Sequence, residues 1–274
     1  MADRKSEAEI PPLISDQTEL AKREASNALE QFDWGMSEVE ACLGNGTRLL
    51  KVSTLLNLHR RAMNGIDRYA GNFRPAGVGI KGSTHKPVEG HDVPERVEEM
   101  LDYLRDNWDK QTAYHLSAYA MWRLNWIHPF ADGNGRTSRI FSYMVLCAKL
   151  GQILRGVKTI PEQIASNKEP YYKALEAADG ADAVGRIDVS EMEGLLTRYL
   201  TTQLLYLHRR ANGEEENSRM GVGNRRLPGV KRDSIVLRAG RTAKRNVIEI
   251  LEKHPVMVAI VIGVITIIVS IFSR

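Results

Sequence analysis

Apolar residues recur at helical spacing through most of the first 210 positions. Residues 17–32 set Leu20, Ala25, Ala28, Leu29 and Phe32 on one stripe among strong helix formers. Residues 50–63 align Leu50, Leu55, Leu56, Leu58 and Met63, and Asn64-Gly65 ends the run. Residues 94–109 open with Pro94, which suits a first helical turn because its missing N–H has no partner there. Helices are also predicted over 112–127 and 136–150, flanking one loop, and over 171–178 and 189–209. Residues 69–92 are crowded with glycine and hold two prolines, which excludes a helix. Within them, Gly77 to Gly82 has room only for a short strand or hairpin. The pattern predicts an all-α domain with a β-hairpin on its surface, and no internal repeat.

The pattern changes near the other end of the chain. Residues 255–272 run for 18 positions without an Asp, Glu, Lys or Arg. As a helix they would measure about 27 Å, close to the hydrocarbon thickness of a bilayer. Charge sharpens this reading. Residues 1–216 carry 27 basic and 31 acidic side chains, a net of −4, whereas residues 217–274 carry 11 basic and 3 acidic, a net of +8. The basicity therefore sits in the segment before the apolar run, where it would keep that side of a membrane cytoplasmic. It gives no support to nucleic acid as a partner of the main domain. Nothing apolar opens the sequence, so no signal peptide is expected. Two cysteines, Cys42 and Cys147, exclude a disulfide framework or a cysteine-based zinc site and suit a reducing compartment. The expected organisation is a helical region at 1–49, a core at 50–210, a basic linker at 211–253 and one transmembrane anchor at 254–273. The expected location is a membrane, with the core cytoplasmic.

The chemistry gathers between the helices at 112–127 and 136–150, in HPFADGNGRTSR at residues 128–139. Gly133 and Gly135 allow a ligand to approach the main chain, and successive N–H groups at a helix amino terminus make an anion nest. Arg136 and Arg139 are three apart and face the same way; a polyphosphate between them would relieve their repulsion. Asp132 offers one hard oxygen, the usual protein share of a magnesium site that also takes phosphate and water. His128 is a base whose ordinary pKa lies near neutral pH. Singly, these features have plainer readings as a turn, a hydrogen-bonding histidine and a solvated helix face. Together, at this spacing, they describe transfer from a nucleoside triphosphate.

Residues 128–139 match at every defining position the signature His-x-Phe-x-Asp/Glu-Gly-Asn-Gly-Arg-x-x-Arg, and in this the chain resembles the Fic family. Gly71-Asn72-Phe73-Arg74 with the glycine-rich stretch looks like that family's approach to its flap. Ile160-Pro161-Glu162 and Tyr171-Tyr172 through Ala178-Asp179 look like its later helices, so that residues 20–208 are covered. The resemblance implies an all-α core with a β-hairpin flap, and transfer of AMP from ATP to a hydroxyl of a target protein. His128 would take the hydroxyl proton. Asp132 would hold Mg²⁺, and Gly133, Asn134, Gly135, Thr137 and Ser138 would lie on the nucleotide's phosphates. Arg136 would bind the β-phosphate region and Arg139 the γ-phosphate. Phe130 would anchor the loop, and Tyr171 and Tyr172 would line the nucleoside side. Gly79, Ile80 and Lys81 would lie on the flap, which in the family pairs with the target's backbone. Ser26 and Glu30 resemble the Ser/Thr-x-x-x-Glu of an inhibitory helix, whose glutamate would pair with Arg139. The expected partners are ATP, a hydroxyl-bearing protein and a membrane, with a homodimer as a further candidate. Two other readings keep the same site: removal of AMP from a modified protein, with Glu30 positioning water, or a silent nucleotide-binding adaptor.

Overall fold

The computed structural model describes residues 5–7, 13–154 and 156–211. The anchor expected at 254–273, and the linker at 211–253 beyond its first residue, lie outside the described residues. Among the described residues no helix is long and apolar enough to cross a membrane. Among the described residues two compact units are distinguished, one within residues 5–154 and 160–197 and one of residues 156–159 with 198–211.

The first unit contains strand β1 (Lys5–Glu7), helices α1 (Gln17–Ala41) and α2 (Val52–Met63), strand β2 (Gly79–Lys81), and helices α3 (Val93–Asp106), α4 (Ala113–Ile127), α5 (Asn134–Leu150), α6 (Ile160–Ser166) and α7 (Glu169–Asp182). Helix α8 (Ser190–Ala211) belongs to it as far as Thr197. In the second unit, the Lys158 ammonium lies 4.5 Å from the ring centre of Tyr206.

Helices α4 and α5 form the centre. Both are buried all round along their middle turns. In α5 every residue from Ile140 to Ala148 is buried, and in α4 Leu116 to Trp122 are as well. Their close approach runs through two small residues: Ser117 Oγ donates to the Ser142 carbonyl at 2.9 Å, and Ser142 Oγ to the Ser117 carbonyl at 2.8 Å. Helices α1 and α2 pack on α5, while α3 and α7 pack on α4. The Thr112 hydroxyl caps α4 by accepting the His115 N–H.

Two expectations need correction. Helix α1 continues to Ala41, and its inward face is not the predicted stripe. Leu29 is 69% exposed, whereas Asn27 and Gln31 are buried. The reason is hydrogen bonding to carbonyls of α2 and the residue after it, the last of which have no helical partner. Asn27 Nδ2 donates to the carbonyls of Ala62 and Asn64, at 3.2 and 2.9 Å, and Gln31 Nε2 to that of Leu58 at 3.1 Å. The glycine-rich stretch also differs from a closed hairpin. It supplies one strand, β2, whose antiparallel partner is β1, with Lys5 opposite Lys81, Ser6 opposite Ile80 and Glu7 opposite Gly79. A short glycine-flanked strand presents an unpaired edge, and here another part of the chain covers it.

Replacing Asn27 with Ala strands two carbonyls under α1 and is expected to cost about 1–3 kcal/mol of stability. Leu29→Ala, on the same helix, is expected to stay within about 0.5 kcal/mol of the parent. Urea denaturation of the two variants checks the inverted polarity of this face; equal losses would refute it.

Candidate active site

Residues 128–133 carry the chain from α4 to α5. His128 closes α4 in the left-handed region, at φ 53° and ψ 58°, and its N–H donates to the Leu124 carbonyl. That conformation is uncommon for a residue with a Cβ and persists only where neighbours enforce it. Gly133, at φ 76°, caps α5, and a Cβ there would lie 2.7 Å from Met63 Sδ. Phe130 is fully buried, stacked on His59 at a ring separation of 3.8 Å and tilted against Phe73.

Three buried side chains satisfy the loop's main chain. Arg74 Nε donates to the His128 carbonyl at 2.8 Å, its backbone N–H donates to the Pro129 carbonyl, and the rest of its guanidinium reaches the carbonyls of Ala76 and Val88. Asn134 closes on Phe130 in both directions: Oδ1 accepts the Phe130 N–H at 2.9 Å, and Nδ2 donates to the Phe130 carbonyl at 2.8 Å. His59 Nδ1 accepts the Gly71 N–H at 3.0 Å, so its proton is on Nε2, which donates to the Asp132 carbonyl at 2.9 Å.

The same reasoning sets the proton on His128. Its Nδ1 lies 3.3 Å from the Asn125 carbonyl, which can only accept, so Nδ1 carries the hydrogen. Nε2 therefore presents a lone pair, and the Ser6 hydroxyl oxygen lies 2.8 Å from it. Burial pushes the His128 imidazole down from its ordinary 6.5 to about 4, against the pull of the Asn125 carbonyl and with a further push from Arg74. The base is thus neutral at pH 7 rather than poised at its midpoint. Burial likewise pushes His59 down to about 4.

His128 opens into a cleft of about 800 Å³, large enough for a nucleotide. Asp132, Gly133, Asn134, Gly135, Arg136 and Arg139 line it, as do Ile80, Tyr171 and Tyr172. Asp132 accepts the Gly133 N–H at 2.6 Å and the Arg136 guanidinium at 2.9 Å. The floor contributed by α1 is made of Ala21, Glu24, Ala25 and Ala28, and Glu24 pairs with Arg136 at 2.9 Å.

Several expected residues stand elsewhere. Thr137 and Ser138 are fully buried on the inner face of α5 and do not line the cleft. Asn134 lines the cleft: its amide closes on Phe130, and Nδ2 also donates to Ser6 Oγ at 3.5 Å. Gly79 and Lys81 are exposed and contribute backbone to the β1 pairing; only Ile80 of that strand lines the cleft. Ser26 is exposed and Glu30 lies 3.9 Å from Arg61, outside the cleft, in place of the expected contact with Arg139. Six residues of helix separate Glu24 from Glu30, which turns their side chains about 120° apart. Only one of them can face the cleft, and it is Glu24. Glu24, His59, Arg74 and Ser6 escaped the sequence reading as site residues. Arg74 had a signal, since it lies in the Gly-Asn-Phe-Arg run; the other three depend on contacts across the fold.

Residues 49–146 match the Fic/DOC family, and the match contains the whole 128–139 loop. The chain is similar to a protein adenylyltransferase fic-1 of Caenorhabditis briggsae, 28% identical over 173 residues, which cover 61% of this chain and 32% of that protein. It is also 28% identical over 160 residues to a protein adenylyltransferase Fic of Aedes aegypti, covering 57% of this chain and 30% of that one. It thus spans about a third of the length of these relatives, which by name are nucleotidyltransferases. Among solved structures, a Fic family protein from Desulfovibrio desulfuricans aligns with 71% of this chain and 69% of its own, at 17% identity and a TM-score of 0.45.

The two depressed histidines make stability depend on pH. Each takes up a proton in the unfolded chain near 6.5 but in the folded one only near 4. Their contribution is complete above pH 6.5 and is lost as the pH falls towards 4. At pH 5 the loss is expected to be about 2 kcal/mol for each, about 4 kcal/mol together. Carboxylates of ordinary pKa titrate little between pH 7 and 5, so chemical denaturation across that window, compared between the parent and a His59→Asn variant, reads the effect. A flat profile would show that the two rings are not held neutral.

Proposed function

We propose that the chain is a protein adenylyltransferase that moves AMP from ATP to a side-chain hydroxyl of a protein and releases pyrophosphate. One observation carries the proposal: a neutral imidazole lone pair, its tautomer set by the Asn125 carbonyl, faces a hydroxyl oxygen at 2.8 Å in a cleft that also holds Arg136 and Arg139. The match of residues 49–146 and the names of the similar proteins support the same reading.

In the transfer, Nε2 of His128 accepts the hydroxyl proton as the oxygen attacks the α-phosphorus. Arg136 and Arg139 take the charge of the departing phosphates, aided by N–H groups at the start of α5. Tyr171 and Tyr172 line the same cleft. Asp132 fits a magnesium: its carboxylate is half-exposed, lies in the cleft and offers the single hard oxygen that Mg²⁺ takes beside phosphate and water. Bound there, the ion would help neutralise phosphate charge. Rate enhancement of this kind comes from placement and charge compensation.

Glu24 gives the site a restraint. Its carboxylate holds Arg136, so a phosphate must compete with it. Both partners are partly exposed, which limits such a pair to about 1 kcal/mol, or a factor of about five.

His128→Ala is expected to lower transfer about 10²–10⁴-fold while nucleotide binding persists, because the nest and arginines remain. Glu24→Ala is expected to raise it about two- to fivefold, and Glu30→Ala to leave it unchanged. Labelled-ATP assays with acceptor protein decide: full activity without His128 would remove it from the reaction, and a gain from Glu30→Ala rather than Glu24→Ala would reassign the restraint.

A further inference from the structure

Strand β1 does more than cover an edge. It delivers a hydroxyl to the base. We propose that Ser6 is a self-modification site, adenylylated by His128 of the same chain; this rests on the transferase reading above.

Three observations converge. The antiparallel pairing sets Ser6 opposite Ile80, the residue of β2 that lines the cleft. A slip of one residue would turn the Ser6 side chain to the other face of the ribbon, so the register selects this residue. The hydrogen bonds around its oxygen then run in one direction. Asn134 Nδ2 donates to Ser6 Oγ at 3.5 Å, and Nε2 of His128, at 2.8 Å, has no hydrogen of its own to give. The Ser6 hydroxyl must therefore donate to Nε2, which is the arrangement from which a base takes a proton. Finally, Ser6 is the only Ser, Thr or Tyr among residues 1–14, so the segment holds one acceptor, and it is the one at the base.

The reaction balances without a further reagent. The Ser6 oxygen forms a bond to the α-phosphorus of ATP, the bond from that phosphorus to the bridging oxygen of the β-phosphate breaks, and pyrophosphate departs. The serine proton passes to His128 Nε2 and from there to solvent. The product is a phosphodiester joining Ser6 to AMP. While β1 lies on β2, no other extended segment can pair with that edge, so self-modification and modification of another protein through β2 exclude each other.

The full chain, incubated with magnesium and ATP labelled in the α-phosphate, is expected to gain one adenylyl group, located on Ser6 by peptide mapping. The first-order rate constant is expected not to change when the protein is diluted. Ser6→Ala abolishes labelling of the segment, Ser6→Thr restores it, and His128→Ala removes it. When an unlabelled His128→Ala chain is mixed with active protein, its own Ser6 stays unmodified, because the transfer is within one chain. His128-dependent label on other residues, or on an added acceptor protein, with Ser6 unmodified, would overturn this proposal and leave the transferase standing. Label on Ser6 of the His128→Ala chain in the mixture would overturn the intramolecular assignment. Absence of any His128-dependent label would overturn both readings.

Discussion

The loop between α4 and α5 turns its peptide groups inward, where water cannot satisfy them, and everything at the site depends on how that debt of hydrogen bonds is met. A buried peptide group without a partner costs about 1–3 kcal/mol, and the loop has several. Arg74, Asn134 and His59 supply the partners from behind, leaving the front of the loop open. With its carbonyl held by Arg74 and its N–H by Leu124, His128 stays in a left-handed conformation that few side chains adopt. From that position its ring reaches the Asn125 carbonyl, and this single contact decides which nitrogen faces the cleft. Fold and chemistry are joined at that point, because the groups that make the turn affordable also set the base.

Two parts of the chain that precede the core reach into the same cleft. Helix α1 brings Glu24 to Arg136, and β1 brings Ser6 to His128. One contact engages Arg136 and the other His128. Their strengths differ in kind. The ion pair joins two partly exposed side chains, whereas the strand is held through main-chain pairing.

Most of the helical frame was legible in the sequence because its elements are long and periodic, and the loop because its residue types are dense and closely spaced. The losses have physical causes. The stripe read on α1 gave weight to Leu29, but burial on that helix follows hydrogen bonds to carbonyls of α2 and its end, which Asn27 and Gln31 make and leucine cannot. Glu30 satisfied a sequence spacing yet lies about 120° from the cleft, a matter of helical phase that a two-position pattern does not record. The resemblance implies Asn134 as a phosphate ligand, and the structure adds a second task, closing the loop on Phe130. Ser6 left no trace at all: three residues of strand have no periodicity, and their partner lies more than seventy positions away. His59, on α2, resembled any other polar interruption of an apolar helix.

The neutral, directed imidazole of His128 is most directly tested by nitrogen-15 NMR of the histidine side chains through a pH titration, with His128 identified by its loss in His128→Ala. The Nδ1–H tautomer is predicted at pH 7, with a midpoint near 4. A ring that titrates near 6.5, or that carries its hydrogen on Nε2, would contradict it.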